Sequence, residues 1–379
     1  MTDKLTSLTL EQKIGQLLYI GLPATQFDAE TRALVEDIQP GGIIIFGRNV
    51  ATAEQLRELL DSVRASSQVE PLLGIDQEGG LVDRLRKICT PMPSARTIRQ
   101  HGDLAGARSL GRLTGEALRL LGFNMNFAPV LSIMTDDRDL LSNGLYSRSY
   151  GRSPGEVLGY TMVYMRGLQG QGCLGCAKHF PGIGAGEVDS HEEMPIINLS
   201  HEDLIAQDLA PYIELFQRED NMVHAVMVSH GGFPKVDLRR GTAGGRLIPA
   251  SINPQIVTKL LREELGYTGL VVTDDLEMGA IARHYEIEET VRRAVEAGED
   301  MLLICARPDL IRRGYASLLA AAREGSLSEE RINISLTRIA HFKSLIQPPL
   351  PFDATRFAEI SDEVSALNRK LNYTYGGKI

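Results

Sequence analysis

The chain contains no tryptophan, and aromatic residues make up only 6% of its 379 residues. Any site that stacks a ring against a ligand therefore has tyrosine, phenylalanine and aliphatic side chains to do so. Cysteine is scarce too, because Cys89, Cys173, Cys176 and Cys305 are too few for a disulfide framework in a chain of this length. Cys173 and Cys176 have the spacing of half a redox or zinc motif. Without a second pair, we favour buried packing thiols.

Long hydrophobic runs and an excess of basic charge are also absent. No segment approaches the roughly 20 apolar residues of a membrane-spanning helix, and the first ten residues do not follow the pattern of a secretory signal. A net charge of −9 provides no cationic stripe for nucleic acid. The remaining composition, 43% hydrophobic and 23% charged, is typical of a globular enzyme. We therefore expect a monomeric cytoplasmic protein with neither nucleic-acid nor membrane partners.

Short hydrophobic segments recur along the chain, each separated from the next by enough residues for a helix. Their hydrophobicity is continuous rather than alternating, which is typical of strands that are buried on both faces. Strand–helix alternation repeated eight times predicts an α/β fold, a (β/α)8 TIM-type barrel. The predicted strands are Leu17–Leu22, Gly42–Phe46, Leu72–Asp76, Met125–Val130, Leu174–His179, Ala225–His230, Leu270–Asp274 and Met301–Cys305.

Helix signals occupy the intervening segments. Thr52–Gln55 has the pattern of a capping box, and the apolar spacing of Ile256–Leu265 predicts a helix that stops at Gly266. Another helix is expected over Ser109–Leu121.

The C-terminal part of the chain changes character after the last predicted strand. Helical patterns cover Leu310–Glu324 and Ser328–Leu345, and a proline-rich joint, Pro348–Pro351, follows them. We predict one barrel domain over residues 1–347. Residues 348–379 are too polar for a domain of their own, and we expect them to form a C-terminal helical extension or tail packed on the barrel.

Ionisable side chains stand where four of the segments end, and two arginines follow on the loops. In TIM-type barrels the carboxyl ends of the strands form the rim that carries the active site. One polar strand end is unremarkable, but several that carry Asp, Lys or His indicate a site for an oxygen-rich ligand. These residues are Asp76, Lys178, His179, His230 and Asp274, with Arg84 and Arg148 on the loops.

The loop Lys178–His191 is the most informative segment. It leaves a predicted strand with two basic side chains, contains three glycines and ends with Asp189 and His191. A histidine beside an aspartate on a mobile loop can both donate and remove protons near neutral pH. The loop therefore predicts acid–base catalysis.

Four segments together resemble glycoside hydrolase family 3, and more narrowly the bacterial β-N-acetylhexosaminidases of peptidoglycan recycling. They are Asp76–Gly80, Asn126–Val130, the Lys178–His191 loop and Thr273–Met278. The likeness covers roughly residues 8 to 340 in consistent order. Within the loop, the pattern Lys-His-Phe-Pro-Gly-x-Gly-x4-Asp-x-His is specific for the N-acetylglucosaminidase branch of the family.

The resemblance implies a role for each site residue. Asp274 would be the nucleophile of a retaining mechanism with a covalent glycosyl-enzyme intermediate, and it is favoured over its neighbour Asp275 by its place in the motif. His191 would be the acid/base, with Asp189 orienting it. The sugar would be held by Asp76, Arg84, Arg148, Lys178 and His179. No metal or organic cofactor is implied, and the expected activity is removal of terminal N-acetylglucosamine from muropeptide fragments or related glycans.

Some readings stay open from the sequence. His230 fits packing and ligand contact equally well. A β-N-acetylglucosaminide phosphorylase, a β-glucosidase or β-xylosidase, a metal-dependent barrel hydrolase and a non-catalytic sugar-binding protein are the alternatives. Leu81, Ser132 and Ile183 depart from the residue types usual in the family, which affects the expected aglycone preference and loop geometry rather than the reaction class.

Overall fold

The protein is described from a computed structural model, which covers residues 5, 7–141, 143–220, 222–236 and 247–376. Eight parallel strands close into a barrel, and a short antiparallel hairpin lies outside it. The predicted TIM-type (β/α)8 barrel is confirmed. In chain order the barrel strands are β1 (Leu18–Gly21), β2 (Gly42–Ile45), β3 (Leu72–Ile75), β6 (Met125–Asn126), β7 (Leu174–Phe180), β8 (Ala225–Val228), β9 (Leu270–Asp275) and β10 (Met301–Ile304), and the hairpin strands are β4 (Gln77–Gly79) and β5 (Val82–Asp83).

Helices surround the barrel and connect its strands. Most of them begin at a side chain that accepts a hydrogen bond from the first turn, such as Ser153 before Pro154–Gln169 and Ser328 before Glu329–Ser344. The α-helices are Leu10–Gln16, Ala29–Ile38, Ala53–Ser66, Ala95–Gln100, Leu104–Leu121, Pro154–Gln169, His201–Ala206, Ala210–Phe216, Gly279–Ala282, Ile287–Ala297, Pro308–Glu324, Glu329–Ser344 and Ala354–Lys370, and a π-helical segment spans Gln255–Glu264. Among the helices in these ranges, none has the length and apolarity needed to cross a bilayer.

Large and small residues complement each other inside the barrel. Tyr19 is fully buried and meets the edge of Phe127, with ring centroids 5.2 Å apart. Space for its phenol comes from Gly74, where an added Cβ would lie 2.2 Å from the Tyr19 hydroxyl. Because the interior is filled by side chains, the barrel is a packed core and its open end is left for function.

Three local predictions were wrong in detail. The strand predicted over Met125–Val130 is regular only to Asn126, since Pro129 has no N–H to donate to the ladder. The Thr52 side chain accepts from Gln55 N, but the Gln55 side chain bonds Ala51 N, so the capping box is only half formed. The helix predicted from Ser109 begins five residues earlier, at Leu104.

The C-terminal segment folds back onto the barrel as a helix. Ala354–Lys370 buries Phe357, Ile360 and Val364, and each such burial contributes about 2 kcal/mol. Arg356 also donates to Glu116 on helix Leu104–Leu121, from Nε at 2.6 Å and from Nη2 at 2.9 Å. The segment after the proline-rich joint is therefore tied to the barrel by apolar and ionic contacts.

Candidate active site

The candidate residues meet at the carboxyl ends of the barrel strands. Asp76 follows β3, and Asp274 lies near the end of β9. Around the closed barrel, three strands separate β3 from β9 in either direction, so these two acids stand on opposite walls of the mouth. A ligand seated between them would be held from both sides.

One wall carries a buried network of alternating charges. The Lys178 ammonium lies 2.6 Å from Asp76 Oδ1 and 2.6 Å from Glu78 Oε1. Arg148 donates two hydrogen bonds to Glu78, from Nε at 2.8 Å and from Nη2 at 2.9 Å. Asp76, Lys178 and Arg148 were predicted for the site, and the structure brings them together.

Glu78 is the residue that the sequence analysis missed. Its side chain is only 5% exposed and joins Arg148 to Lys178. The sequence did contain a signal for Glu78. It stands two residues after the predicted site residue Asp76, and in extended backbone such side chains face the same side.

The network keeps its members charged. Burial alone would raise the pKa of Glu78, but the adjacent Arg148 and Lys178 charges outweigh it and hold that pKa well below its usual range. Burial would likewise lower the pKa of Lys178, and the carboxylates of Asp76 and Glu78 reverse this and raise it. Fixed, fully ionised donors and acceptors of this kind suit the hydroxyl groups of a sugar.

His179 links this network to Asp274. Its Nε2 lies 3.4 Å from Arg148 Nη2 and 4.0 Å from Asp274 Oδ2. Burial lowers the pKa of His179 well below its usual value, and the Arg148 and Lys178 charges add to the effect. The imidazole is therefore neutral beside the predicted nucleophile and forms no salt bridge with it.

Asp274 and Asp275 differ in their surroundings, as their alternation on an extended strand predicts. Asp274 accepts a hydrogen bond from the Asp275 backbone N–H at 2.8 Å, and its side chain is 16% exposed toward the mouth, near His179. Asp275 accepts from Glu277 N at 3.1 Å, and burial raises its pKa to about 7. A buried carboxyl whose pKa is raised is the poorer nucleophile, and it is Asp274 that lies beside His179, so these surroundings favour Asp274.

Both ring nitrogens of His230 are occupied by the protein. Nδ1 lies 2.7 Å from Ser251 Oγ, and Nε2 lies 2.8 Å from the carbonyl oxygen of Asp275. The side chain is fully buried, and burial lowers its pKa. Of the two readings left open by the sequence, the geometry favours packing: His230 holds the backbone beside Asp274.

The Asp189–His191 pair sits on the long loop after β7. His191 Nδ1 lies 2.7 Å from Asp189 Oδ1, and the His191 side chain is 69% exposed, so Nε2 faces outward. The loop backbone is hydrogen bonded to the segment after β9, from Gly279 N to His191 O at 3.1 Å and from Ala280 N to Ser190 O at 3.2 Å. These contacts place the imidazole at the same edge of the barrel as Asp274.

Asn143 supports the glycine-rich loop and was also missed by the sequence analysis. Its buried side-chain amide donates to the carbonyl oxygens of Gly184 and Gly186, at 3.0 and 3.1 Å. An added Cβ at Gly184 would lie 2.3 Å from the carbonyl oxygen of Ile133, so this glycine permits a close backbone approach. No sequence pattern marked Asn143, because its partners are distant in the chain.

Arg84 occupies the outer edge of the site. Its Nη2 lies 3.8 Å from Asp76 Oδ2, and its guanidinium lies over the Phe46 ring at 5.6 Å. The preceding glycines, Gly79 and Gly80, have φ values of 88° and 60°, which form the hairpin turn between β4 and β5. An added Cβ at Gly79 would lie 2.3 Å from the Pro93 carbonyl oxygen, and one at Gly80 would lie 2.6 Å from Ser94 Cβ, so both glycines permit the close approach of residues 92–94.

The residues that depart from the family's usual types lie around the loops of the rim. Leu81 is 50% exposed at the hairpin turn, whereas Ser132 and Ile183 are buried. All four cysteines are buried and free of disulfides. Across the ranges that the structure describes, no group of three or more His, Cys, Asp or Glu side chains is arranged to hold a metal ion.

Comparison with known proteins agrees with this geometry. The family model described as the glycosyl hydrolase family 3 N-terminal domain matches residues 9–342. The chain belongs to glycoside hydrolase family 3. A curated relative, the β-hexosaminidase of Neisseria meningitidis serogroup C, is 32% identical over 302 residues, which cover 78% of this chain and 79% of that protein.

Solved structures of the family extend the likeness to the whole barrel. A family 3 β-N-acetylglucosaminidase from Paenibacillus is 34% identical with a TM-score of 0.84, over 95% of this chain and 69% of that one. A family 3 glycosyl hydrolase from Mycobacterium smegmatis is 31% identical with a TM-score of 0.79, over 91% of this chain and 99% of that one. This family 3 member is therefore a glycoside hydrolase.

Proposed function

We propose that the protein is a retaining exo-β-N-acetylglucosaminidase that removes terminal N-acetylglucosamine from muropeptide fragments or related glycans. One observation carries the proposal: the Asp189–His191 pair is docked through Gly279 and Ala280 onto the segment that follows Asp274. The names of the relatives, a β-hexosaminidase and a β-N-acetylglucosaminidase, support an acetylated amino sugar as the substrate.

In the first step, an Asp274 carboxylate oxygen attacks the anomeric carbon, and the bond to the leaving oxygen breaks. His191 supplies the proton that this oxygen needs, from the ring nitrogen that does not face Asp189. The Asp189 carboxylate accepts the remaining N–H of the imidazole at 2.7 Å and stabilises its protonated form before the transfer.

In the second step, the now neutral His191 removes a proton from water, and the oxygen of that water displaces Asp274 from the anomeric carbon. Each step inverts the configuration at this carbon, so the product retains the configuration of the substrate. A histidine replaces the second carboxylate that most retaining glycosidases use, and an imidazole can both donate and remove a proton in such a cycle.

The opposite wall would hold the hydroxyl groups of the terminal sugar. We assign this role to Asp76, Lys178 and Arg148, supported by Glu78, with His179 and Arg84 at the two ends of the network. Lys178 and Arg148 are tied to carboxylates at 2.6–2.9 Å, so their unused donors have fixed directions. This preorganisation lets binding energy orient the sugar over Asp274.

Other expectations remain part of the proposal. We propose a barrel domain over residues 1–347 with residues 348–379 as an extension packed on it, and a monomer that acts in the cytoplasm without nucleic-acid or membrane partners. No organic cofactor or metal takes part in the proposed steps.

The nucleophile can be tested with Asp274→Ala. We expect turnover of 4-nitrophenyl N-acetyl-β-glucosaminide to fall by at least about 10⁴-fold, because the covalent step is removed. Added azide should restore part of the rate and give the α-glycosyl azide, detected by NMR. Azide rescue in Asp275→Ala instead would transfer the role to Asp275, and residual activity near that of the parent would reject a covalent mechanism.

The acid role can be tested with His191→Ala and the matched control His284→Ala, which removes an exposed imidazole with no role in the site. Loss of His191 should slow substrates with poor leaving groups by about 10²–10⁴-fold, but slow a 4-nitrophenyl substrate much less. Equal losses on both substrates would contradict the assignment.

Two assays separate the alternatives within the family. Phosphate in the reaction would yield N-acetylglucosamine 1-phosphate if the protein were a phosphorylase, whereas we expect the free sugar. Parallel measurement of kcat/KM on the 4-nitrophenyl N-acetylglucosaminide, glucoside and xyloside should favour the acetylated substrate.

A further inference from the structure

A cavity of about 270 Å³ lies beside the outer edge of the proposed sugar-binding network. Four of its six lining residues are cationic, in a chain whose net charge is −9. The lining residues are Gly47, Arg48, Asp83, Arg84, Arg86 and Lys87.

The one carboxylate in this lining is turned away from the cavity. Asp83 is 1% exposed and accepts hydrogen bonds from Gln77 Nε2 at 2.8 Å, Leu85 N at 3.0 Å and Met92 N at 2.8 Å. Within the part of the chain that the structure describes, Arg84 is the only one of the four cations with a carboxylate inside 4 Å, namely Asp76 at 3.8 Å. The cavity therefore has an excess of positive charge.

Backbone and ring contacts hold the cations in place. The Phe46 ring lies under both Arg48 and Arg84, at 4.6 and 5.6 Å from the guanidinium carbons. Lys87 Nζ donates to the Gly47 carbonyl oxygen at 2.8 Å, and Arg48 Nε donates to that of Leu22 at 3.3 Å. Lys87 Nζ also donates to the Val50 carbonyl oxygen at 3.3 Å, Arg48 Nη2 to that of Cys305, and Arg86 Nη1 to that of Asp83 at 3.3 Å. Each arginine has five N–H donors, so donors remain for a ligand.

We propose that this cavity binds a phosphate-type oxyanion. Clustered guanidinium groups recognise the oxygens of phosphate through charge-assisted, bidentate hydrogen bonds, and they have little affinity for an uncharged ligand. The volume accommodates one phosphoryl group with a few water molecules. Among the described residues, Arg48, Arg86 and Lys87 have no carboxylate within 4 Å, and their exposed positive charge supplies the attraction.

Two kinds of ligand carry such an anion: a phosphorylated sugar and free inorganic phosphate. The sugar is a candidate because Arg84 both lines the cavity and lies 3.8 Å from Asp76. Asp76 stands on the wall opposite Asp274, so the hydroxyls of a bound sugar that are remote from its anomeric carbon would face Arg84. A phosphate ester on such a hydroxyl would reach the cavity, and this source rests on the proposed function. Free inorganic phosphate is the second source and requires no catalysis.

The first arm of the test measures thermal stability in sodium phosphate against sodium chloride at equal ionic strength. A ligand that binds the folded protein raises Tm with its concentration. We expect this rise for the parent and for the control Lys259→Gln/Arg293→Gln, which removes two exposed cations on distant helices.

In Arg86→Gln/Lys87→Gln the phosphate affinity should be at least about tenfold weaker, since charge-assisted hydrogen bonds are lost. Arg86→Glu, which keeps the Lys87 contact, should weaken it as well.

The second arm compares kcat/KM for 4-nitrophenyl N-acetylglucosaminide and its 6-phosphate. Arg86→Gln/Lys87→Gln should lower the ratio of phosphorylated to plain substrate by about tenfold relative to the parent and the control. An effect in this arm identifies the sugar phosphate, and an effect in the first arm alone identifies free phosphate. If phosphate stabilises the parent no more than chloride and the ratio does not change, the proposal is overturned. Because the first arm needs no turnover, failure of the proposed function would leave it interpretable.

Discussion

Replacing Glu78 by Gln should both destabilise the barrel and damage the wall that we propose binds the sugar. The substitution keeps the size of the side chain but removes the negative charge between two cations. Arg148 and Lys178 are 14% and 2% exposed, so water cannot replace that charge. Removing one partner of a buried ion pair costs about 3–5 kcal/mol of the free energy of unfolding.

For a barrel of this size, that loss corresponds to a fall in Tm of about 4–6 °C. Urea unfolding at pH 7, followed by circular dichroism, measures the free energy directly. The matched control is Glu263→Gln, which breaks the exposed helical pair with Lys259 and should cost below about 0.5 kcal/mol.

The effect should also depend on pH with a defined sign. The folded-state pKa of Glu78 is lowered, because Arg148 and Lys178 overcome the effect of burial. Its contribution is therefore fully present above the unfolded-state pKa near 4.5 and is lost as the pH falls further toward the folded-state value. The stability difference between parent and Glu78→Gln should be constant from pH 6 to 8 and shrink below pH 4.5. A difference at pH 7 no larger than that of Glu263→Gln would refute this account of the network.

Two further substitutions probe other parts of the molecule. Asp189→Ala removes the hydrogen-bond partner of His191, so hydrolysis of substrates with poor leaving groups should approach the slow rate of His191→Ala; a near-parent rate would leave Asp189 with a structural role only. Glu299→Gln should increase stability at pH 8 but not at pH 4 in urea unfolding. Burial raises the Glu299 pKa well above its usual value, and its carboxyl has no hydrogen-bond partner among the described residues, so the parent loses stability as the pH rises above about 4.5. An unchanged stability at pH 8 would contradict an uncompensated carboxyl there.

The sequence predicted the barrel because its signals are local. Eight continuous hydrophobic segments separated by helical patterns correspond to the eight strands, and most boundaries agree within one or two residues. The exceptions have local causes that a hydrophobic pattern does not show, such as Pro129, three residues beyond the end of β6. The hairpin β4–β5 was missed because its strands, three and two residues long, are too short for a periodic pattern.

The candidate site was predictable where residue type and strand end coincide. Asp76, Lys178, His179 and Asp274 all lie at the mouth of the barrel, where the carboxyl ends of parallel strands must meet. His230 also ends its strand, yet its two ring nitrogens bind Ser251 and Asp275 instead of facing the mouth. A polar residue at a strand end is therefore placed near the site by sequence, but its direction is set by partners elsewhere in the chain.

By itself, the sequence determined the (β/α)8 architecture, the rim on which chemistry takes place and the residue types available there. Only the tertiary structure decided that Glu78 joins Arg148 to Lys178, that Asn143 holds the glycine-rich loop, and that four cations line a cavity beside Asp76. The physical reason is that periodicity depends on neighbours within a few residues, whereas hydrogen bonds and charge pairs form between groups that are distant in the chain and meet only when the barrel closes.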